Sequence, residues 1–191
     1  KSYNNKYGVP VSLFNLGQKN NYGVLEIGMD KKGEIDYLSK IVKPDVSVIT
    51  NINYAHAKNF KNIKQIALAK SEIINNTKIN GFIVLNADDN FYTLHKNIAN
   101  KRKLNILSFG IDNQNANIKL VSIKKIANKF KATIRINNLK TYFFISNNFQ
   151  SNILNILAAL SVMSIFLDIS KLKKNIFLSF KIPNGRGDIT K

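Results

Sequence analysis

The sequence predicts an α/β fold: a mostly parallel sheet flanked by helices, with a small antiparallel sheet in its second half. Three observations carry this. Short, wholly apolar runs alternate with amphipathic stretches from Val46 to Phe109, the pattern of strands covered on both faces. Three strand-like runs then follow one another between Ile118 and Ile145 with no helix between them. The chain has 191 residues, 45% of them hydrophobic, enough for one domain with a sizeable core.

The elements follow in order. Gly23 to Ile27 is a short apolar run closed by Gly28 and reads as a strand. From Gly33 to Ile41, Ile35, Leu38 and Ile41 share a helical face, and Pro44 stops the helix. Val46 to Thr50 is the next strand. Ile63 to Ile74 is an amphipathic helix, with Ile66, Ala67, Ala69, Ile73 and Ile74 as its apolar face. Phe82 to Leu85 is a strand; Asp88 and Asp89 precede a helix running to about Ala99; Leu104 to Phe109 is a fourth strand. Ile118–Ile123, Phe130–Ile136 and Thr141–Ile145 form the antiparallel set, with Asn137-Asn138 as a hairpin turn. A long helix from Ser151 to Leu167 and another from Ser170 to Phe180 complete the pattern. Pro183 to Gly187 reads as a hinge loop.

Composition excludes several chemistries. No cysteine is present, so disulfides, thiolate metal sites and Cys nucleophiles are ruled out. The most apolar run, Ile153 to Leu167, is shorter than the roughly 20 residues a bilayer span needs and is interrupted by Asn155, Ser161 and Ser164. A buried helix in a cytoplasmic protein is expected. The net charge is +18. It reads either as a nucleic-acid or anionic-membrane footprint or as compositional drift. The excess of Lys, Asn and Ile, with arginine only at 102, 135 and 186, favours drift. The lysines are scattered, with no interleaved base-stacking aromatics. The chain opens on Lys1 and closes on Lys191, and both ends read as cuts through a longer protein.

Ligands in an open parallel sheet bind beyond the carboxyl ends of the strands, which draws attention to three residues. Glu26 ends an apolar run, where a carboxylate needs a cation, a partner or a helix terminus to cap. His56 follows the strand Val46–Thr50 and belongs to a loop; on its own it also reads as a histidine bonded to backbone. Lys70 lies among Ala67, Ala69 and Ile73 on the face its helix buries; on composition alone it reads as a lysine extending its ammonium to water. The second histidine, His95, is expected on a solvated helix face. Asp88 and Asp89 read as turn and cap residues rather than metal ligands.

Together with their flanking blocks these residues are specific. The blocks are Asn4-Asn5-Lys6-Tyr7-Gly8-Val9-Pro10, Val24 to Met29 with Gly33-Glu34-Ile35, Lys43-Pro44-Asp45, and Ile49-Thr50-Asn51-Ile52 with Ala55-His56. They continue in Ile66-Ala67, Ala69-Lys70 with Glu72-Ile73, Asn86-Ala87-Asp88-Asp89, Asn152, Asn155, Ala158-Ala159 and Gly185-Arg186. In this order they resemble the central, ATP-binding domain of the Mur ligases nearly end to end, and best the branch that adds D-alanyl-D-alanine. The resemblance implies a P-loop-NTPase-like central domain over residues 1–184, without its first strand and phosphate loop, and a hinge at 185–191 to a C-terminal domain.

It also implies roles. Glu26 would ligate the magnesium that bridges the ATP phosphates, and His56 would help hold a second magnesium. Lys70 matches the lysine that the family carbamylates with CO2; an ammonium repels Mg²⁺, whereas a carbamate offers the hard oxygen donor magnesium prefers. Asn152 and Asn155 would contact the adenine, with N-capping the alternative for Asn152. Arg186 would reach the ATP phosphates, and Asn4 and Asn5 would face the muropeptide. The family's Gly-x-His-Asn before the adenine helix reads here Phe149-Gln150-Ser151-Asn152, and Asn53 stands where the family often has glycine.

No Gly-x-x-Gly-Lys-[Ser/Thr] loop occurs in the 191 residues. The implied reaction is ATP-dependent amide formation through an acyl phosphate, joining D-Ala-D-Ala to a UDP-linked muramoyl tripeptide in peptidoglycan synthesis. The fragment alone is expected to be inactive and its parent monomeric, with neither nucleic acid nor a membrane span involved. The alternatives are another Mur ligase, a folylpolyglutamate-synthetase-like ligase, or, in a different class, a basic nucleic-acid-binding module.

Overall fold

The computed structural model describes residues 3–54 and 59–180. In chain order the elements are α1 (Gly8–Phe14), α2 (Glu34–Val42), β1 (Val46–Ile49), α3 (Ile63–Asn76), β2 (Phe82–Asn86), α4 (Tyr92–Lys101), β3 (Asn105–Gly110), β4 (Ile118–Ile126), β5 (Lys129–Ile136), β6 (Leu139–Ile145) and α5 (Gln150–Phe166), then a single 3-10 turn at Ile169–Lys171. The six strands hydrogen-bond in the order β1-β2-β3-β4-β5-β6. β3 and β4 are parallel, while β4–β5 and β5–β6 are antiparallel. The antiparallel set is thus not a separate sheet: it continues the parallel one through β4.

Contacts divide the chain into two compact units, Lys1–Ile83 with Asp89–Ile106, and Val84–Asp88 with Leu107–Lys191. In the first, α3 is the central helix. Asn62 caps it, its side chain accepting from the Gln65 N–H at 3.0 Å, while Gln65 Oε1 accepts from the Lys61 N–H at 3.0 Å. This reciprocal arrangement satisfies donors that a helix start leaves open. Ile66, Ala67, Ala69 and Ile74 are all 1% exposed or less, so the face predicted from periodicity is the buried one. α2 begins after Gly33, whose φ of +90° is costly for any residue with a Cβ.

In the second unit, β5 and β6 meet through the two-residue turn Asn137-Asn138, pairing Ile136 with Leu139, and Asn137 adopts φ +50°, a conformation asparagine tolerates. Ala132, Ile134, Phe143 and Ile145 are buried. α5 is apolar on nearly every side, burying Ile153, Ile156, Leu157 and Leu160, as an all-round apolar helix must. Each such side chain contributes about 1.5–3 kcal/mol by leaving water.

Three sequence expectations need correcting, and one helix lies outside them. Residues 23–27 are not a strand: Val24 is 97% exposed, and the run has no ladder partner among the described residues. Extended backbone becomes a strand only when its N–H and C=O groups find a neighbour. The helix expected from Ser170 to Phe180 is a short 3-10 turn followed by further turns, because this segment spends its groups on β6. Phe144 N–H donates to the Lys174 carbonyl at 2.8 Å, Ile145 bridges Phe177, and Phe177 packs edge-on against Phe143 at 5.3 Å between ring centroids. Helix α1 was not foreseen; Pro10 is accommodated in its first turn, where no intrahelical donor is needed. His95 is not solvated: it is 2% exposed.

Candidate active site

Two groups of expected site residues lie in the first unit. In one, Asn4 Nδ2 donates to Glu26 Oε1 at 3.1 Å, and the Gly28 N–H donates to the Asn4 carbonyl at 2.8 Å. A Cβ at Gly28 would come within 2.9 Å of Asn4 Nδ2, so glycine there permits the approach. Glu26 is exposed, and a carboxylate has about four acceptor positions, which leaves capacity for a cation. Asn5 is used differently: its Oδ1 accepts from the N–H groups of Tyr7 and Gly8, each at 3.0 Å, organising the start of α1.

The second group surrounds Lys70, half-buried on α3. Its Nζ donates to the Asn51 carbonyl at 2.7 Å. Burial holds this ammonium below the usual lysine range, and the Asp89 carboxylate opposes that shift. Asp89 also accepts from the Ile52 N–H at 2.8 Å through Oδ2 and from the Phe91 N–H at 2.8 Å through Oδ1. His95 Nε2 lies 3.0 Å from the Ala67 carbonyl oxygen. The strand-end segment that leads toward His56 is therefore held at Asn51–Ile52. His56 itself lies outside the described residues, as does Arg186.

In the second unit, Asn152 is 2% exposed and Asn155 is exposed. Asn152 does not cap α5; the cap position is Phe149, with no side-chain cap bond. Instead Asn152 Nδ2 donates to Asn147 Oδ1 at 3.0 Å, while its Oδ1 is buried without a hydrogen-bond partner. An orphaned buried acceptor is costly, and an exocyclic amine is the kind of donor that would satisfy it. Asp88 is spent on turns, as expected, accepting from the N–H groups of Ile111, Asp112 and Asn113.

Among the described residues no hydrogen bond joins the Glu26 group to the Lys70 group, and no three His, Cys, Asp or Glu residues cluster as a metal site. One expected ligand, His56, is outside the description, and Lys70 ligates only after conversion to an anion, so the donor chemistry fits magnesium only in that form. Among the described residues no helix is long and apolar enough to cross a membrane. On the β5–β6 face, Lys129 Nζ lies 3.8 Å from the Phe144 ring centroid and Lys131 Nζ 4.2 Å from that of Tyr142. Lysines cover the rings that a base-stacking platform would expose.

Sequence reasoning passed over two residues. Asp89 was read as turn chemistry without its reach to Ile52, 37 residues away in sequence. Glu72, quoted only as part of a block, accepts from Gly33 N–H at 2.9 and 3.0 Å and from Asp36 N–H at 3.1 Å. For Glu72 the available signal was a carboxylate beside the buried face of α3, though not what it reaches; for Asp89 it was only its place just before α4.

The geometry can be set beside known proteins. The model of the Mur ligase middle domain matches residues 1–163. The UDP-N-acetylmuramoyl-tripeptide–D-alanyl-D-alanine ligase of Buchnera aphidicola (subsp. Acyrthosiphon pisum) is 37% identical over 142 residues, 73% of this chain and 28% of that protein. Among solved structures, MurF from Acinetobacter baumannii gives a TM-score of 0.80 at 27% identity, covering 88% of this chain and 36% of that one. MurF ligase from Thermotoga maritima in complex with ADP gives 0.70 at 29% identity, covering 88% and 40%. The chain spans less than half the length of each. With most of its length matched by the family model, the chain belongs to the Mur ligase middle-domain family.

Proposed function

We propose that this chain is the metal- and adenine-binding part of an ATP-dependent amide ligase that joins D-alanyl-D-alanine to a UDP-linked muramoyl tripeptide. The name of the Buchnera relative and the ADP held by the Thermotoga structure support the substrates and the nucleotide. In this reading residues 1–184 are the central domain and 185–191 a hinge. The observation that carries the reading is Lys70: a half-buried lysine whose burial lowers its basicity. Only the neutral amine attacks CO2, giving R–NH–COO⁻ and a released proton, so a lowered pKa favours the modification.

Glu26, His56 and the carbamate of Lys70 would hold magnesium, and Asn4 keeps the Glu26 carboxylate in place. Bound magnesium would supply neutralisation of the phosphate charge that builds up as the peptide carboxylate attacks the γ-phosphate. Asn152 would offer its partnerless Oδ1 to the adenine amine, and Asn155 its exposed amide. Arg186 would approach the phosphates, and Asn4 and Asn5 the muropeptide. The acyl phosphate would then be opened by the amine of D-Ala-D-Ala, with phosphate leaving.

The test is an assay of the parent enzyme with ATP, UDP-muramoyl tripeptide and D-Ala-D-Ala, alongside single amino acids as competing acceptors. Lys70→Ala and Glu26→Ala should each lower kcat by at least about 100-fold. Ligation of a single amino acid in preference to the dipeptide would move the chain to another branch. Full activity in Lys70→Ala would remove the metal role.

A further inference from the structure

The carbonyl that Lys70 holds and the N–H that Asp89 holds belong to one peptide group. Lys70 Nζ donates to the Asn51 oxygen at 2.7 Å, and Asp89 Oδ2 accepts from the Ile52 nitrogen at 2.8 Å. The Asn51–Ile52 peptide is planar and rigid about its C–N bond, so fixing its N–H on one side aims its C=O on the other. Asp89 is itself fixed, since its second oxygen accepts from the Phe91 N–H at 2.8 Å and its own carbonyl accepts from Tyr92 at the start of α4. Ile52, 6% exposed, anchors the peptide from its side-chain end.

We propose that Asp89 is a positioning residue for Lys70, acting through the Asn51–Ile52 peptide, which it orients as the acceptor for the lysine nitrogen. This rests on the ligase reading only for its catalytic consequence. The arrangement suits both forms of the side chain. An ammonium has three N–H donors, and a carbamate keeps one on the same nitrogen. The Asn51 oxygen can therefore accept from either, and with that single N–H held, the carbamate oxygens project away from the peptide. Each Asp89 oxygen accepts one backbone N–H, from Ile52 and from Phe91, so the carboxylate is tied to the peptide it orients.

Asp89→Asn tests this. It is isosteric but has one acceptor oxygen in place of two, so one of the two backbone bonds is lost. In the parent enzyme, amine acylation mapped by mass spectrometry should show Lys70 labelled several-fold faster relative to the other lysines. Ile52 amide exchange should accelerate with it. Lys70→Met, which leaves Asp89 intact, should also speed Ile52 exchange and supplies the readout if Asp89→Asn does not fold. In the parent enzyme, folded Asp89→Asn should lose roughly 10-fold in kcat, need several-fold more Mg²⁺ for half-maximal rate, and keep its KM for ATP. Unchanged Lys70 labelling, or unchanged kcat and Mg²⁺ demand in a folded variant, overturns the proposal. If labelling and exchange shift while the wild-type parent ligates nothing, the ligase reading fails and the positioning stands.

Discussion

His95 is 2% exposed and bonded to the Ala67 carbonyl oxygen at 3.0 Å. Burial depresses its pKa below the usual 6.5; the Ala67 bond and Asp89 pull it up, and Lys70 pushes it down further. The folded state thus resists protonation, whereas the unfolded chain takes up a proton as pH falls below about 6.5. The stabilising contribution is complete above that value and is lost as pH falls through and below it, by at most about 1.4 kcal/mol per pH unit for one proton. Urea unfolding of the chain between pH 7.5 and 5.0 should show this loss, and His95→Gln should flatten it. An equal slope in the variant would place the titration elsewhere.

At the scale of elements, α2 and α3 are coupled by Glu72. Its carboxylate accepts from the N–H groups of Gly33 and Asp36, at the end of α2 where donors are open and the helix dipole favours negative charge. Glu72→Ala should cost about 1.5–3 kcal/mol, the range for hydrogen bonds to a charged group, seen as a lower urea midpoint with little change in m. A loss below about 0.5 kcal/mol, the level of an ordinary surface change, would show that water replaces the clamp. This coupling was not legible in the sequence, and the reason is general to the chain. Periodicity reports which face of α3 is buried, so Ile66, Ala67 and Ala69 were readable from spacing, whereas Lys70 on that face reads by itself as a lysine reaching water and stands out only through the blocks that flank it. It does not report what a carboxylate reaches 39 residues away. The run at 23–27 failed for a related reason: alternation and apolarity describe a strand's side chains, while its existence depends on a neighbouring backbone. His95 was misplaced because α4 carries few apolar residues, so its inward face is marked by a polar ring that pairs with a carbonyl.

For the whole molecule, the charge and the missing motif make a joint prediction. A phosphate loop binds triphosphate by aiming several backbone N–H groups and a lysine at it, and no such motif occurs in the 191 residues. A net charge of +18 still attracts any polyanion, but over distances that salt shortens to about 8 Å at physiological ionic strength. The isolated chain should therefore give no ATP-dependent ligation. Its residual nucleotide binding should separate into two components by titration. Attraction by the net charge should weaken steeply from 20 to 200 mM salt and treat ATP and inorganic tripolyphosphate alike. Recognition through Asn152 and Asn155 should survive salt, prefer ATP over tripolyphosphate, and disappear in Asn152→Leu, where the buried acceptor is gone. Salt-sensitive binding without preference for adenine would remove the two asparagines from the nucleotide site and leave the family's metal side, Glu26 and Lys70, as the part of the proposed function still standing in this chain.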